Sequence, residues 1–232
     1  MVKWLISLLL LSACCVNNDF YSDFSRTYVG TRYLNDPLGE EKLPDKDPLI
    51  RFDAFDCTTF VETVLAGGDV DKLTDIRYKN GKVDFFNRNH FIETDWLQNN
   101  SDLVENVSNA YGKVSVRTVT IDKQNWLKAV HKIYEDVSPV TIELEYISYD
   151  DLKRIDNKET LIVLFISGKS EKSDKIGTDL AVVHMGLLLP GGVILRHASS
   201  KYGYVMDADF YDYVAQRAKS KNNIGIMLVR IK

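Results

Sequence analysis

Asp56-Cys57-Thr58-Thr59-Phe60-Val61-Glu62-Thr63-Val64-Leu65-Ala66-Gly67-Gly68 specifies a helix and places a thiol in its first turn. Asp56 is a strong N-cap, because its side-chain oxygen can accept from the unpaired N–H groups that open a helix. Phe60, Val61, Val64 and Leu65 recur at the spacing of one apolar face. Gly67-Gly68 ends it with residues that adopt the left-handed conformation without a Cβ clash. The spacing predicts a helix over 57–66. At its start the free N–H groups and the helix dipole favour an anion, so the Cys57 thiol is expected to ionise easily. The same N–H groups can face an oxyanion. One local structure thus offers a nucleophile and part of its oxyanion hole.

The chain has three cysteines, and the other two, Cys14 and Cys15, lie at the end of an apolar leader. Lys3 gives that leader a positive start, and 5–11 is an apolar run too short to span a bilayer. It ends in Leu11-Ser12-Ala13-Cys14, which resembles a bacterial lipobox. The resemblance implies removal of residues 1–13 and lipid on Cys14. Residues 14–19 would then be a tether to the membrane, with acyl chains as the anchor. The expected location is the bacterial cell envelope, periplasm or cell surface, outside the cytoplasm. Disulfides form there, yet Cys57 has no partner left and is expected to stay a free thiol.

The remaining 20–232 reads as one globular unit. Of 232 residues, 45% are hydrophobic and 27% charged, enough for one sizeable core. The net charge of −4 and the lack of a basic run argue against a nucleic-acid partner. Helical spacing is found over 19–28, 70–78, 125–134 and 208–217. Alternating or continuous apolar runs over 114–121, 140–147, 161–166 and 224–231 predict strands. Residues 35–53 and 168–178 read as polar loops, and 84–96 is aromatic and polar without a period. Residues 181–189, the turn Pro190-Gly191-Gly192, and 193–198 form an expected β-hairpin. Helices first and hairpin-linked strands after predict an α+β fold with an antiparallel sheet.

A cysteine nucleophile needs a base near neutral pH, and histidine is the usual one. His184 is a polar residue in an apolar strand, and His197 lies on the return arm of the hairpin, 13 residues on. Antiparallel pairing can bring both to one face, with His184 as base and His197 as its orienter. His131 is expected on a helix surface. One cysteine and scattered histidines, without close-spaced ligand pairs, do not make a zinc site, and no cofactor is called for.

Three segments together resemble the NlpC/P60 cysteine hydrolases, which have a papain-like core. Phe55-Asp56-Cys57-Thr58-Thr59-Phe60 is similar to their nucleophile motif, His184-Met185-Gly186 to their His-x-Gly, and His197-Ala198 to the strand that supplies the third polar residue. Asp84-Phe85-Phe86-Asn87-Arg88-Asn89-His90-Phe91, with Asp95-Trp96, resembles the DUF1460 branch, which is similar to N-acetylmuramoyl-L-alanine amidases. The resemblance runs from about residue 20 to the C-terminus. It implies a nucleophile helix packed on the antiparallel sheet, with a helical and loop insertion between nucleophile and base. It implies catalytic Cys57, His184 and His197, a peptidoglycan or muropeptide substrate, a monomer, and cleavage of the amide between N-acetylmuramic acid and L-alanine. The alternatives are an endopeptidase cutting between D-Glu and the diamino acid, and a non-catalytic lipoprotein that binds wall fragments.

Many endopeptidase relatives carry an extra N-terminal domain of SH3 type; about forty residues between Cys14 and Cys57 leave no room for one. Substrate selection is therefore expected in residues 69–135. Arg88, Asn89, His90, Asp95 and Trp96 are the candidate contacts, with Trp96 stacking on a sugar and Arg88 pairing with a carboxylate. Tyr33 is the candidate aromatic bordering the nucleophile.

Overall fold

The computed structural model describes residues 19–39, 49–169 and 171–232. The expected leader with Cys14 and Cys15, and residues 40–48 of the expected 35–53 loop, lie outside the described residues. Among those residues, one mixed sheet carries the fold. Its strands are β1 (Arg32–Tyr33), β2 (Ala54–Phe55), β3 (Val104–Asn106), β4 (Val114–Ile121), β5 (Val140–Ser148), β6 (Leu161–Ser167), β7 (Val182–Leu188), β8 (Ile194–Ser199), β9 (Tyr204–Asp209) and β10 (Asn223–Ile231). Their spatial order is β2-β1-β9-β8-β7-β6-β10-β5-β4, with β3 also paired to β10. Every pairing is antiparallel except β1 with β2. The helices used below are α1 (Phe20–Arg26), α2 (Cys57–Ala66), α3 (Val70–Arg77), α4 (Glu171–Ile176) and α5 (Phe210–Arg217).

Strand period decides how the sheet is covered. Side chains alternate between faces, and β6 is buried at every position. Ile162, Leu164 and Ile166 enter the core that holds Phe60, Val61, Val64 and Leu65 of α2. Leu161, Val163 and Phe165 enter a second core with Phe210 and Val214 of α5. β10 divides likewise, Met227 and Val229 to the first, Ile226 and Leu228 to the second. A strand buried on both faces reads as an unbroken apolar run, which is why 161–166 and 224–231 show no alternation.

α1 is bolted down by polar contacts. Asp19 caps it by accepting from the Ser22 N–H at 2.8 Å, and also accepts from the Thr160 N–H and hydroxyl. Buried Arg196 on β8 donates to Ser22 O and Ser25 Oγ, and grips Asp207 on β9 with two bonds at 2.7 and 2.8 Å. Asp19, expected in the tether, is thus part of the folded unit.

Four points of the sequence reading are corrected. Residues 171–176, read as loop, form α4. The 125–134 helix is shorter: Lys123–Trp126 is α-helical, Leu127–His131 is a π-turn, and Lys132 takes a left-handed conformation. β9 went unread, because in Tyr204-Val-Met-Asp-Ala-Asp only Val205 is buried and the apolar signal is thin. The insertion over 69–135 is more than helices and loops, since it lends β3 and β4 to the sheet.

Candidate active site

The start of α2 is built as its sequence dictates. Asp56 accepts from the Thr59 N–H at 2.8 Å, and the Thr59 hydroxyl accepts from the Asp56 N–H at 3.0 Å, a reciprocal capping box. Gly67 closes the helix at φ 65°. Cys57 is half-buried and its Sγ lies 4.0 Å from the Thr58 hydroxyl. β2 leads directly into this turn and pairs in parallel with β1, which puts Tyr33 opposite Phe55 and in the wall of the same cleft as Cys57.

The two histidines are a bonded pair: His184 Nε2 and His197 Nδ1 are 2.8 Å apart, with the rings at 82°. Two local features make this possible. Between Phe165↔His184 and Ile166↔Val182 the β6–β7 register slips by one residue, a bulge at Val183 that re-aims the strand. Gly186 permits the approach of β8, since a Cβ there would meet the His197 Cβ at 2.9 Å and the Arg196 carbonyl at 3.0 Å. The glycine of His-x-Gly thus serves the neighbouring histidine.

Cys57 and His184 line one cleft of about 320 Å³, together with Tyr33, Asp36, Arg88 and His90. Thiol and imidazole line the same cleft without a hydrogen bond between them; catalytic contacts of this kind commonly tighten only around substrate. Because Nε2 of His184 is engaged by His197, Nδ1 is the nitrogen left for the thiol. His184 stands opposite Phe165 on the face that α5 covers. There Tyr213 packs on His197 with centroids 4.9 Å apart and on His184 at 6.0 Å, and Phe165 lies 5.5 Å from His184. The Arg217 guanidinium sits over both rings, 5.0 Å from Phe165 and 5.9 Å from Tyr213.

These surroundings set protonation. Burial, then the charge of Arg217, lowers His197 to about 4. Burial, His197 and Arg217 hold His184 well below the usual histidine range. Burial and the Asp56 carboxylate push the Cys57 thiol up to about 11, against the pull of the Met185 backbone N–H. The expectation of a ready thiolate is therefore corrected. A helix start contributes roughly 0.3–1 kcal/mol, less than one pKa unit, and desolvation beside a carboxylate outweighs it. The resting pair is a neutral thiol and a neutral imidazole.

The candidate contacts in the insertion divide. Tyr33, Arg88, Asn89 and His90 line the cleft. Asn89 is also tied to the backbone, donating to Ile76 O, and His90 is held by Phe85 O at 2.8 Å and by Trp126. Burial lowers His90 to about 3, which keeps it neutral. Arg88 is 7% exposed and bonds Glu62 at 3.5 Å and Arg77 O at 2.9 Å. Asp95 and Trp96 are corrected: they belong to the core. Trp96 is fully buried and donates to Glu62 at 3.1 Å, so it has no face for a sugar. Asp95 caps the Phe91 N–H and pairs with Lys123 at 2.7 Å. His131, expected at the surface, packs against Phe85 and Trp126.

Sequence reasoning passed over three residues that hold the site. Glu93 is 2% exposed and accepts from the N–H groups of Ala181 and Val182, fixing the entry of β7. Tyr213 and Arg217 cover the histidine pair. The i, i+4 spacing of Tyr213 and Arg217 on α5 was a usable signal; Glu93, in a stretch without period, gave none. Among the described residues no group of three or more His, Cys, Asp or Glu is placed to hold a metal.

Solved structures share this architecture. A protein from Legionella pneumophila of family DUF1460 superposes with TM-score 0.79 at 24% identity, covering 91% of this chain and 88% of that one. An N-acetylmuramoyl-L-alanine amidase from Bacteroides uniformis gives 0.69 at 20%, covering 92% and 98%. A putative xylanase from Bacteroides fragilis gives 0.67 at 25%, covering 90% and 100%. No curated protein matches the chain. The model of the AmiA-like family, described as N-acetylmuramoyl-L-alanine amidase-like, matches residues 23–224, and the chain belongs to that family.

Proposed function

We propose that the protein is a cysteine-dependent N-acetylmuramoyl-L-alanine amidase with a papain-like core of the NlpC/P60 kind. The observation that carries this reading is the His184–His197 pair at 2.8 Å, lining the same cleft as a cysteine at a capped helix start, in a chain of an amidase-like family.

In this reading the lactyl carbonyl of N-acetylmuramic acid lies over Cys57. His184 Nδ1 takes the thiol proton as the sulfur–carbon bond forms. The imidazolium donates through Nε2 to His197 Nδ1, which requires His197 to carry its own proton on Nε2. The Cys57 N–H at the start of α2 faces the oxyanion. The tetrahedral intermediate collapses as His184 returns the proton to the departing amine of L-alanine, leaving a thioester. Water, deprotonated by His184, then releases the sugar acid and restores the thiol. A neutral resting pair suits this sequence, because the proton moves only when the carbonyl is in place.

Glycoside hydrolysis is disfavoured by the lining of this cleft. Retaining and inverting glycosidases use two carboxyl groups flanking the bond, and of the acids lining this cleft Asp56 is spent on the helix cap. Export and lipidation at Cys14 belong to the same proposal: an envelope lipoprotein acting on peptidoglycan or its fragments.

The test is digestion of a defined muropeptide with product masses read. Free N-acetylmuramic acid plus the whole stem peptide is the expected result. Cleavage between D-Glu and the diamino acid makes the protein an endopeptidase instead. Cys57→Ala is expected to abolish product while keeping the melting temperature; turnover that persists in a folded Cys57→Ala protein removes the nucleophile assignment.

A further inference from the structure

We propose that the cavity behind the histidine pair is a binding site for a small carboxylate ligand, which acts as the acidic partner of His197; its effect on rate rests on the Cys–His reading above. The cavity measures about 570 Å³. His197 and Arg217 line it and do not line the Cys57 cleft. The histidine pair is the partition between the two spaces, so a ligand here meets the histidines from the side away from the thiol.

The wall beside His197 offers donors. With Nδ1 of His197 engaged by His184 at 2.8 Å, Nε2 is the nitrogen left for a ligand. Ser199, 4% exposed, accepts from the Tyr202 N–H at 3.3 Å and keeps its hydroxyl proton to give. Arg217 donates to the neutral Asn223 side chain at 3.1 Å, and its Nε is buried without a hydrogen bond. The groups around that guanidinium are neutral as well, since burial raises the Tyr149 and Tyr213 hydroxyls and lowers both histidines. A half-buried cation among neutral groups favours an anion beside it.

The acids nearby do not fill this role. Asp209 and Asp212 of the same cavity are exposed, and Asp209 caps α5 by accepting from the Asp212 N–H at 2.9 Å. Asp207, whose charge reaches His197, is gripped by Arg196. A carboxylate matches the planar guanidinium fork. When His184 takes the thiol proton, a carboxylate that accepts from His197 Nε2–H stabilises the charge, as the aspartate does in a serine-protease triad. An opposite charge within about 4–6 Å moves a titrating group by roughly 1–3 pH units. Here the direction is upward, which makes His184 the better base near neutral pH.

The experiment adds formate to the full chain at about pH 7 and constant ionic strength, with chloride as the control, and reads kcat and KM on a defined muropeptide. In parallel, the imidazole NMR signals of Cys57→Ala follow binding without turnover. Formate is expected to raise kcat saturably by about twofold to tenfold, a gain of about one pH unit in basicity read through a Brønsted slope below one. KM is expected to stay unchanged, and the His197 signals to shift with formate. Ser199→Ala is expected to raise the half-saturating formate concentration about two- to tenfold, the scale of one hydrogen bond. Arg217→Gln is expected to abolish the response, whatever its own rate. An equal response to chloride, no saturable effect in either readout, or wild-type behaviour in both variants overturns the site. Shifted imidazole signals with an unchanged rate overturn the partnership with His197. Should wild type leave the muropeptide intact, the amidase reading fails, and the imidazole titration still decides the site.

Discussion

Cys57 shows how little a single residue's flanking sequence decides about its chemistry. The helix start was legible in Asp56 and Thr59, and it forms as read. The ionisation state was not, because it depends on what covers the thiol. Burial and the adjacent carboxylate raise it to about 11, so the thiolate fraction at neutral pH is small. Alkylation by iodoacetamide is therefore expected to speed up about tenfold per pH unit between about pH 7 and 10, following the thiolate. A rate that levels off near neutral pH would mean that His184 already holds the proton, and would reverse the assignment of a neutral pair. Trp96 and Asp95 teach the same lesson in the other direction: an aromatic and an acid in a polar stretch looked like ligand contacts, yet both are consumed by Glu62, Phe91 and Lys123.

Among the elements, the β7–β8 hairpin does most to make a site. Its turn residues and apolar arms were plain in the sequence, and the two histidines do meet. The bulge at Val183 and the close approach at Gly186 were not readable, since each depends on a partner strand. Gly186→Ala places a methyl group 2.9 Å from the His197 Cβ. Overpacking of this kind costs about 1–3 kcal/mol, and a displacement near 1 Å at a catalytic group can cost about 10²-fold in rate. The expected outcome is a folded variant with kcat down by about ten- to a hundredfold and KM little changed, measured on a defined muropeptide. Full activity in Gly186→Ala would show that the histidine contact is dispensable. α5 adds the lid of Tyr213 and Arg217, which packs against the pair and, with burial, keeps both rings neutral.

For the molecule as a whole, a neutral buried histidine pair is a liability in acid. His197 titrates at about 4 when folded and at about 6.5 when unfolded. The unfolded chain therefore binds more protons between those values, and stability falls as pH drops through that window. For a residue 2% exposed, the loss is on the order of 3 kcal/mol, with His184 acting in the same direction. Urea unfolding at pH 7 and at about pH 4.5 is expected to show this loss, and His197→Gln is expected to reduce it. Identical pH dependence in the two proteins would mean that other groups govern acid unfolding.

The sequence by itself determined the local structures: the capped helix with its thiol, the histidine hairpin, and the apolar strands that an α+β core requires. Each is encoded within about twenty residues by capping, turn chemistry and side-chain period. Only the tertiary structure decided which of these pieces meet. The place of Tyr33 in the wall of the Cys57 cleft comes from a parallel pairing across 22 positions. The anchoring of β7 by Glu93 spans 88 positions. The covering of the histidines by α5 arises because strands buried on both faces need a second layer. The protonation of the site follows from that covering, because desolvation is a property of the packed whole.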